Sequence, residues 1–238
     1  MFKSKQATKD KTKSLLEILL LAIVSVIILH IFWQLVAGAS PADNRFITDL
    51  ARRFGLDDEL SVPTWLTSMM AMIMASIAWL IGRAQKSSDA KIGWYLIAAV
   101  GLFVSVDEVA SLHELILQGV HILADFGSQQ TFFDNAWLLI LPVLLIGLIF
   151  SVRFLWRALP KDTFYSLVLA GGVYLLGAFV FEYLSIQLDK SQLLYRIGEV
   201  VIEEGLELLG LWLIIRAMIN HIAVHEAGLR KKLVSIIS

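Results

Sequence analysis

Residues 15–37 read LLEILLLAIVSVIILHIFWQLVA, a run in which Glu17 and His30 are the only ionisable side chains. A bilayer core about 30 Å thick takes roughly 20 helical residues to cross, so this segment is long enough to span one. Working outward along the chain, comparable apolar segments fall at 63–82, 92–113, 136–156, 164–187 and 195–219. Each is expected to be helical, because an isolated strand in lipid cannot satisfy its backbone polar groups. Of the 238 residues, 58% are hydrophobic and 17% charged, against about 25% charged in a soluble domain. The apolar spans account for the deficit. The predicted fold is therefore all-α, an integral membrane bundle of about six transmembrane helices over residues 15–220. A basic segment, 1–14, precedes it and a tail, 221–238, follows.

The connections carry their own signals. Pro41 and Pro63 bracket the first loop and Pro160 follows the fourth span, as helix-breaking residues should. Within the loop, Phe46, Leu50 and Phe54 oppose Asp49, Arg52 and Arg53, the pattern of a short helix lying on a membrane surface. Trp33, Trp65, Trp94, Trp137 and Trp156 sit near span ends and read as interfacial anchors. Gly171, Gly172 and Gly177 are expected to let the fifth helix approach a neighbour closely. With the N-terminus inside, fifteen of the 20 Lys and Arg residues face inward and five outward. That asymmetry puts both termini in the cytoplasm. Lysines, an apolar run and Ala37-Gly38-Ala39 also resemble a signal peptide, but the run exceeds the roughly 7–15 residues usual there, and a retained first span is expected.

Several function classes drop out. The chain has no cysteine, which removes disulfides and thiolate metal sites. A net charge of −1 offers no basic footprint for nucleic acid, and no Gly-rich phosphate loop is present. The lipid bilayer is the one partner the composition requires; a partner subunit or a homo-oligomer is left open.

The informative residues are acids in the wrong solvent. Asp107, Glu108, Glu114, Glu182, Glu199, Glu203, Glu204 and Glu207 lie in, or at the outer ends of, the apparent spans. At a rise of 1.5 Å per residue, Asp107, Glu203 and His30 each come out about 22 Å from the cytoplasmic entry. Glu182 lies at about 27 Å, Glu199 at about 28 Å and Glu207 at about 16 Å. Helices one, three, five and six thus deliver polar groups to one layer. Asp107, Ser111, Glu114, Gln118 and His121 recur at helical spacing and form one stripe; Arg196, Glu199, Glu203 and Glu207 form another, with Glu204 to one side. Glu108 and His113 point away from the first stripe.

A charged carboxylate at mid-membrane costs about 2.5–3.5 kcal/mol, and like charges at i,i+4 repel. Such a row must be protonated, paired, opened to water or neutralised by a cation. Three readings follow. In the first, the layer binds a divalent metal (iron, manganese or zinc), with Asp107, Glu203 and Glu207 as first ligands. His30, Glu108, His113, Glu182, Glu199, Glu204 and Glu114 are further candidates. Carboxylates with histidine and no cysteine, offered by several helices, is the donor set of carboxylate-bridged dimetal bundles, although the Glu-x-x-His they repeat is absent here. Such a metal would activate water or polarise an oxygen of a membrane-borne substrate. In the second, the layer belongs to a proton or small-cation transporter, with Glu207 deepest. In the third, the carboxyls are structural, hydrogen-bonded to Tyr174, Tyr183, Tyr195, Asn135 and backbone. The residues alone leave open whether the protein is an enzyme.

Two resemblances bear on this. Asp107-Glu108-x-x-Ser111-Leu112-His113-Glu114 together with Glu203-Glu204-Gly205-Leu206-Glu207 resembles a pattern in uncharacterised bacterial multipass membrane proteins. It implies a bacterial cytoplasmic (inner) membrane home and no activity. Ser111, Asp107 and the pair His221/His225 resemble the serine, aspartate and histidine set of alkaline ceramidase-like hydrolases. The topology puts them at opposite membrane faces, and the two histidines are expected in a solvated tail.

Overall fold

The computed structural model describes residues 2–41, 44–112, 115, 137–181 and 195–230. Among them every regular element is helical: α1 (Phe2–Ala39), α2 (Arg45–Arg53), α3 (Val62–Ala84), α4 (Ser88–Ala110), α5 (Trp137–Ala158), α6 (Lys161–Leu175) and α7 (Val200–His225). Five stretches are long and apolar enough to cross a membrane: Ser14–Ala39, Val62–Ala84, Ser88–Ala110, Lys161–Phe181 and Ile197–His225. The fourth segment expected from the sequence forms the 22-residue α5. The molecule is an all-α, multi-pass membrane bundle.

Local chemistry sets the ends of these helices. Ser61 caps α3 by accepting a hydrogen bond from the Thr64 N–H at 3.2 Å, with Pro63 in the first turn, where no backbone donor is needed. α4 stops at Ser111, which adopts a left-handed conformation (φ 45°, ψ 45°) and bonds its N–H to the Asp107 carbonyl at 2.7 Å. The stripe expected to run unbroken from Asp107 through Ser111 is therefore redirected at Ser111. α6 continues as a π-helical turn over Leu176–Phe181, and another, Tyr195–Glu199, leads into α7. Such turns widen a helix by a residue and often mark functional positions.

α7 is the central strut. It packs against α1, α3 and α6, while α3 lies along α4 and α4 along α5. Leu208, Leu211, Ile215 and Met218 of α7 are fully or almost fully buried, against Met70, Ala71, Met74 and Ile81 of α3 and Leu19, Ile23 and Val26 of α1. The Trp212 indole donates to the Leu16 carbonyl at 2.9 Å midway along α7, and at one end of the bundle Gln85 donates to Glu226 at 2.7 Å. At the other, the Leu56 N–H donates to His30 Nδ1 at 3.1 Å, and the Ser68 hydroxyl of α3 donates to the Ser105 carbonyl of α4 at 2.7 Å.

Three sequence expectations are corrected. Trp94 is no interfacial anchor: it is completely buried, its ring 5.3 Å from that of His221. His221 is likewise buried rather than part of a solvated tail, with Nδ1 3.2 Å from the Thr163 hydroxyl. Its apolar neighbours Ala217, Met218 and Ile222 carry the helix, and His221 with it, into the bundle. Of the three glycines expected at a helix contact, only Gly177 makes one; a Cβ on Gly171 or Gly172 would meet nothing within 4 Å.

The close contact of α6 with α7 rests on two glycines. A Cβ on Gly210 would sit 2.6 Å from the Tyr174 backbone, and one on Gly177 would sit 2.6 Å from the Glu203 carbonyl. Overpacking of that kind costs about 1–3 kcal/mol. Gly177→Ala and Gly210→Ala are expected to lower stability by that amount in thermal unfolding of the detergent-solubilised protein. Gly171→Ala is expected to stay within about 0.5 kcal/mol of the parent. Equal effects at all three positions would contradict the packing.

Candidate cation site

The site is built where α4 ends, α6 widens and α7 begins. From α7, Glu203 and Glu207 are both 8% exposed and lie on the same inward stripe as Val200 and Leu211. One helical step round, Glu204 is half-buried. From α6, the Tyr174 hydroxyl donates a hydrogen bond to the Glu207 carboxyl. That pairing depends on the glycine contact, because the Tyr174 main chain lies directly over Gly210 while Gly177 lies against Glu207. From α4, the charge of Glu108 reaches both Tyr174 and Glu204. Glu204 thus stands in the field of four other carboxyl groups: Glu207, Glu108, Glu203 and Asp57.

Asp57 arrives from a direction that periodicity does not show. The segment after α2 turns in beneath the end of α4 and is held at three points. Leu56 is buried and its N–H is taken by His30 Nδ1. Arg53 donates to the Leu60 carbonyl at 3.3 Å. The Ser111 hydroxyl donates to Glu59 at 2.7 Å. Leu60 itself takes a left-handed conformation, φ 55°, an uncommon cost for a bulky residue. Asp58, next to Asp57, folds over Gly55, where a Cβ would collide with its carboxylate. Burial, then the Asp57 charge, pushes the Asp58 carboxyl above its usual range; Arg52, 3.7 Å away, pulls the other way. Arg52 is therefore engaged with Asp58, and Arg53 with the Leu60 carbonyl.

The residues singled out from the sequence divide as follows. Glu203, Glu204, Glu207 and Glu108 share the junction. Asp107 is 2% exposed on the inward side of α4. His30 is fully buried, but its Nδ1 accepts the Leu56 N–H, so that nitrogen anchors the loop and the ring carries its proton on Nε2. Glu199 closes the π-helical turn ahead of α7. His113, Glu114 and Glu182 lie outside the described residues, as do Gln118, His121, Asn135 and Tyr183. Sequence reasoning did not single out Asp57 or Glu59. The run Asp57-Asp58-Glu59 between two hydrophobic segments was the available signal.

Chemically, the junction is a set of oxygen donors with little basic company. Residues 92–112, 164–181 and 197–215, which cover the parts of α4, α6 and α7 concerned, contain no Lys, Arg or His. Among the described residues, no group of three or more His, Asp or Glu is arranged to hold a metal ion. His221 and His225 stand at the opposite end of the bundle, beside Thr163 and Asp162, which separates them from Ser111 and Asp107 and closes the hydrolase reading.

No curated protein and no solved structure matches the chain. One family model does, over residues 18–221, which takes in the second half of α1 through most of α7 and every residue of the junction. The chain belongs to the family described as Domain of unknown function (DUF8692).

Proposed function

We propose that this chain is a cation-binding protein of the bacterial cytoplasmic membrane. The carboxylates at the α4–α6–α7 junction would take up positive charge from the outer face. The observation that supports the reading is Glu204, placed among Glu207, Glu108, Glu203 and Asp57 on helices without basic residues at that depth. Like charges that share a medium of low dielectric constant oppose one another's ionisation. A bound cation relieves them together. The donors at hand are carboxyl oxygens, because the Nδ1 of His30 is spent on Leu56. An all-oxygen set suits a hard divalent ion such as manganese or magnesium better than zinc. The ion would draw Glu108, Glu204 and Glu207 in from their present positions. With water on its open side, it would polarise an oxygen of a membrane-borne substrate, which is the enzymatic form of the proposal.

A second reading is favoured by the hydrogen bond from Tyr174 to Glu207 and by the absence of a preformed chelate among the described residues. In it the carboxyls share protons, and the cluster fixes the register of α6 on α7 or relays protons inward. Element-sensitive mass spectrometry of the purified, detergent-solubilised protein separates the two. The metal reading expects a divalent ion at near-integral stoichiometry, reduced at least tenfold in Glu204→Gln and Glu207→Gln, with Tyr174→Phe retaining it. Metal-free protein throughout, with Tyr174→Phe losing about 1 kcal/mol of stability, would overturn the metal reading in favour of the second.

The orientation is tested in the same cysteine-free background. A membrane-impermeant maleimide is expected to label Thr48→Cys, on α2, in cells with a permeabilised outer layer and an intact inner membrane. Lys86→Cys, in the α3–α4 connection, should react only after that membrane is opened. The reverse pattern would put the carboxylates on the cytoplasmic side.

A further inference from the structure

The bundle's flank carries a second built feature, remote from the carboxylates. Between α3 and α4 runs a groove of about 520 Å³, lined by α3 from Met72 to Leu80 and by α4 from Tyr95 to Leu102. That volume falls within the roughly 300–1,000 Å³ of small-molecule sites. It is concave because the residues along its floor are small, Ala75 and Ser76 on one helix facing Ala98 and Ala99 on the other. Trp79 and Tyr95 rise as walls at the end nearer the α3–α4 connection. Gly82 shapes this end: a Cβ there would lie 2.7 Å from the Tyr95 ring, so its absence lets that ring lie across α3. From Met72 to Leu80 the groove extends about 12 Å along the helix. Both helices belong to the stretches apolar enough to cross a membrane, so the groove opens toward lipid tails.

An apolar surface facing lipid is ordinary. What is specific here is the charge at one end. The Arg83 guanidinium sits 4.8 Å above the Trp79 ring and the Lys91 ammonium 5.9 Å from the Tyr95 ring. Each cation is thus stacked on an aromatic residue that lines the groove, and the pair brackets its mouth. The connection between the helices adds Lys86, with Asp89 and the Gln85-bound Glu226 as the acids nearby. A tail-sized slot that ends between two cations at the headgroup level has the polarity of one kind of amphiphile.

We propose that the α3–α4 groove binds one anionic phospholipid, with an acyl chain over Ala75, Ala98 and Ala99 and the phosphate between Arg83 and Lys91. Basic pockets between transmembrane helices recognise anionic headgroups in this way, each basic residue strengthening the attraction several-fold. The aromatic stacking holds both cations in place before the lipid arrives, so less side-chain entropy is lost on binding.

Native mass spectrometry of the full chain, equilibrated in mild detergent with equal amounts of phosphatidylglycerol and phosphatidylcholine, tests this. The wild-type chain should retain phosphatidylglycerol about tenfold in preference. The double variant Arg83→Gln/Lys91→Gln should bring the preference to within about twofold, and Ala99→Phe, which fills the groove, should lose retention of both lipids at an unchanged melting temperature. Equal retention of the two lipids by the wild type would overturn the proposal, as would a double variant that keeps the tenfold preference. The double variant alters only exposed side chains, so it decides the matter alone should Ala99→Phe melt early.

Discussion

A carboxyl group loses its hydration when a helix carries it into hydrocarbon, and the neighbours on the next helix must replace what water supplied. This constraint organises one end of the bundle. Glu203 and Glu207 point inward because α7 is the central helix and its buried stripe, Val200 through Leu211, passes through them. Tyr174 can reach Glu207 because Gly177 and Gly210 let α6 lie almost backbone to backbone on α7. The two π-helical turns, one carrying Gly177 and the other ending at Glu199, fall at this level and not elsewhere among the described residues.

The loop between α2 and α3 belongs to the same account. Its acids approach the junction from the side rather than along a helix, and its shape is fixed by hydrogen bonds that reach outside the acidic layer or along the loop itself: Leu56 to His30, Leu60 to Arg53, Ser111 to Glu59. Left-handed backbone at Leu60 and Ser111 shows that the two segments meet at a conformational cost, which the surrounding hydrogen bonds offset. The result adds negative charge, Asp57, to a layer that already holds a surplus.

The helices were legible in the sequence because their lengths are set by the bilayer: the expected segments at 63–82 and 195–219 appear as Val62–Ala84 and Ile197–His225. Depth along a single helix was legible too, since it follows from a constant rise per residue, although Glu182, expected in the same layer, lies outside the described residues. Phase was less so. Periodicity gives the angle of a side chain about its own helix and not the identity of the neighbour across from it. Glu108, read as turned away from Asp107, is an α4 carboxyl whose charge reaches Glu204. Nor could periodicity foresee that Ser111 would break α4, or that His221 would be drawn under Trp94 by its apolar neighbours. The glycines divide for the same reason. Gly171 and Gly172 share a helix with Gly177, but only Gly177 faces α7.

The central claim is that acids from different helices share one buried junction, and a distance measurement tests it without reference to any ligand. The chain has no cysteine, so Glu108→Cys and Glu204→Cys can be introduced as a unique pair and treated in membranes with a short bifunctional maleimide. Ser68→Cys with Ser105→Cys serves as a positive control, their hydroxyls being 3.1 Å apart. The account predicts an intramolecular cross-link for both pairs. Cross-linking of the control pair with none between positions 108 and 204 would contradict it.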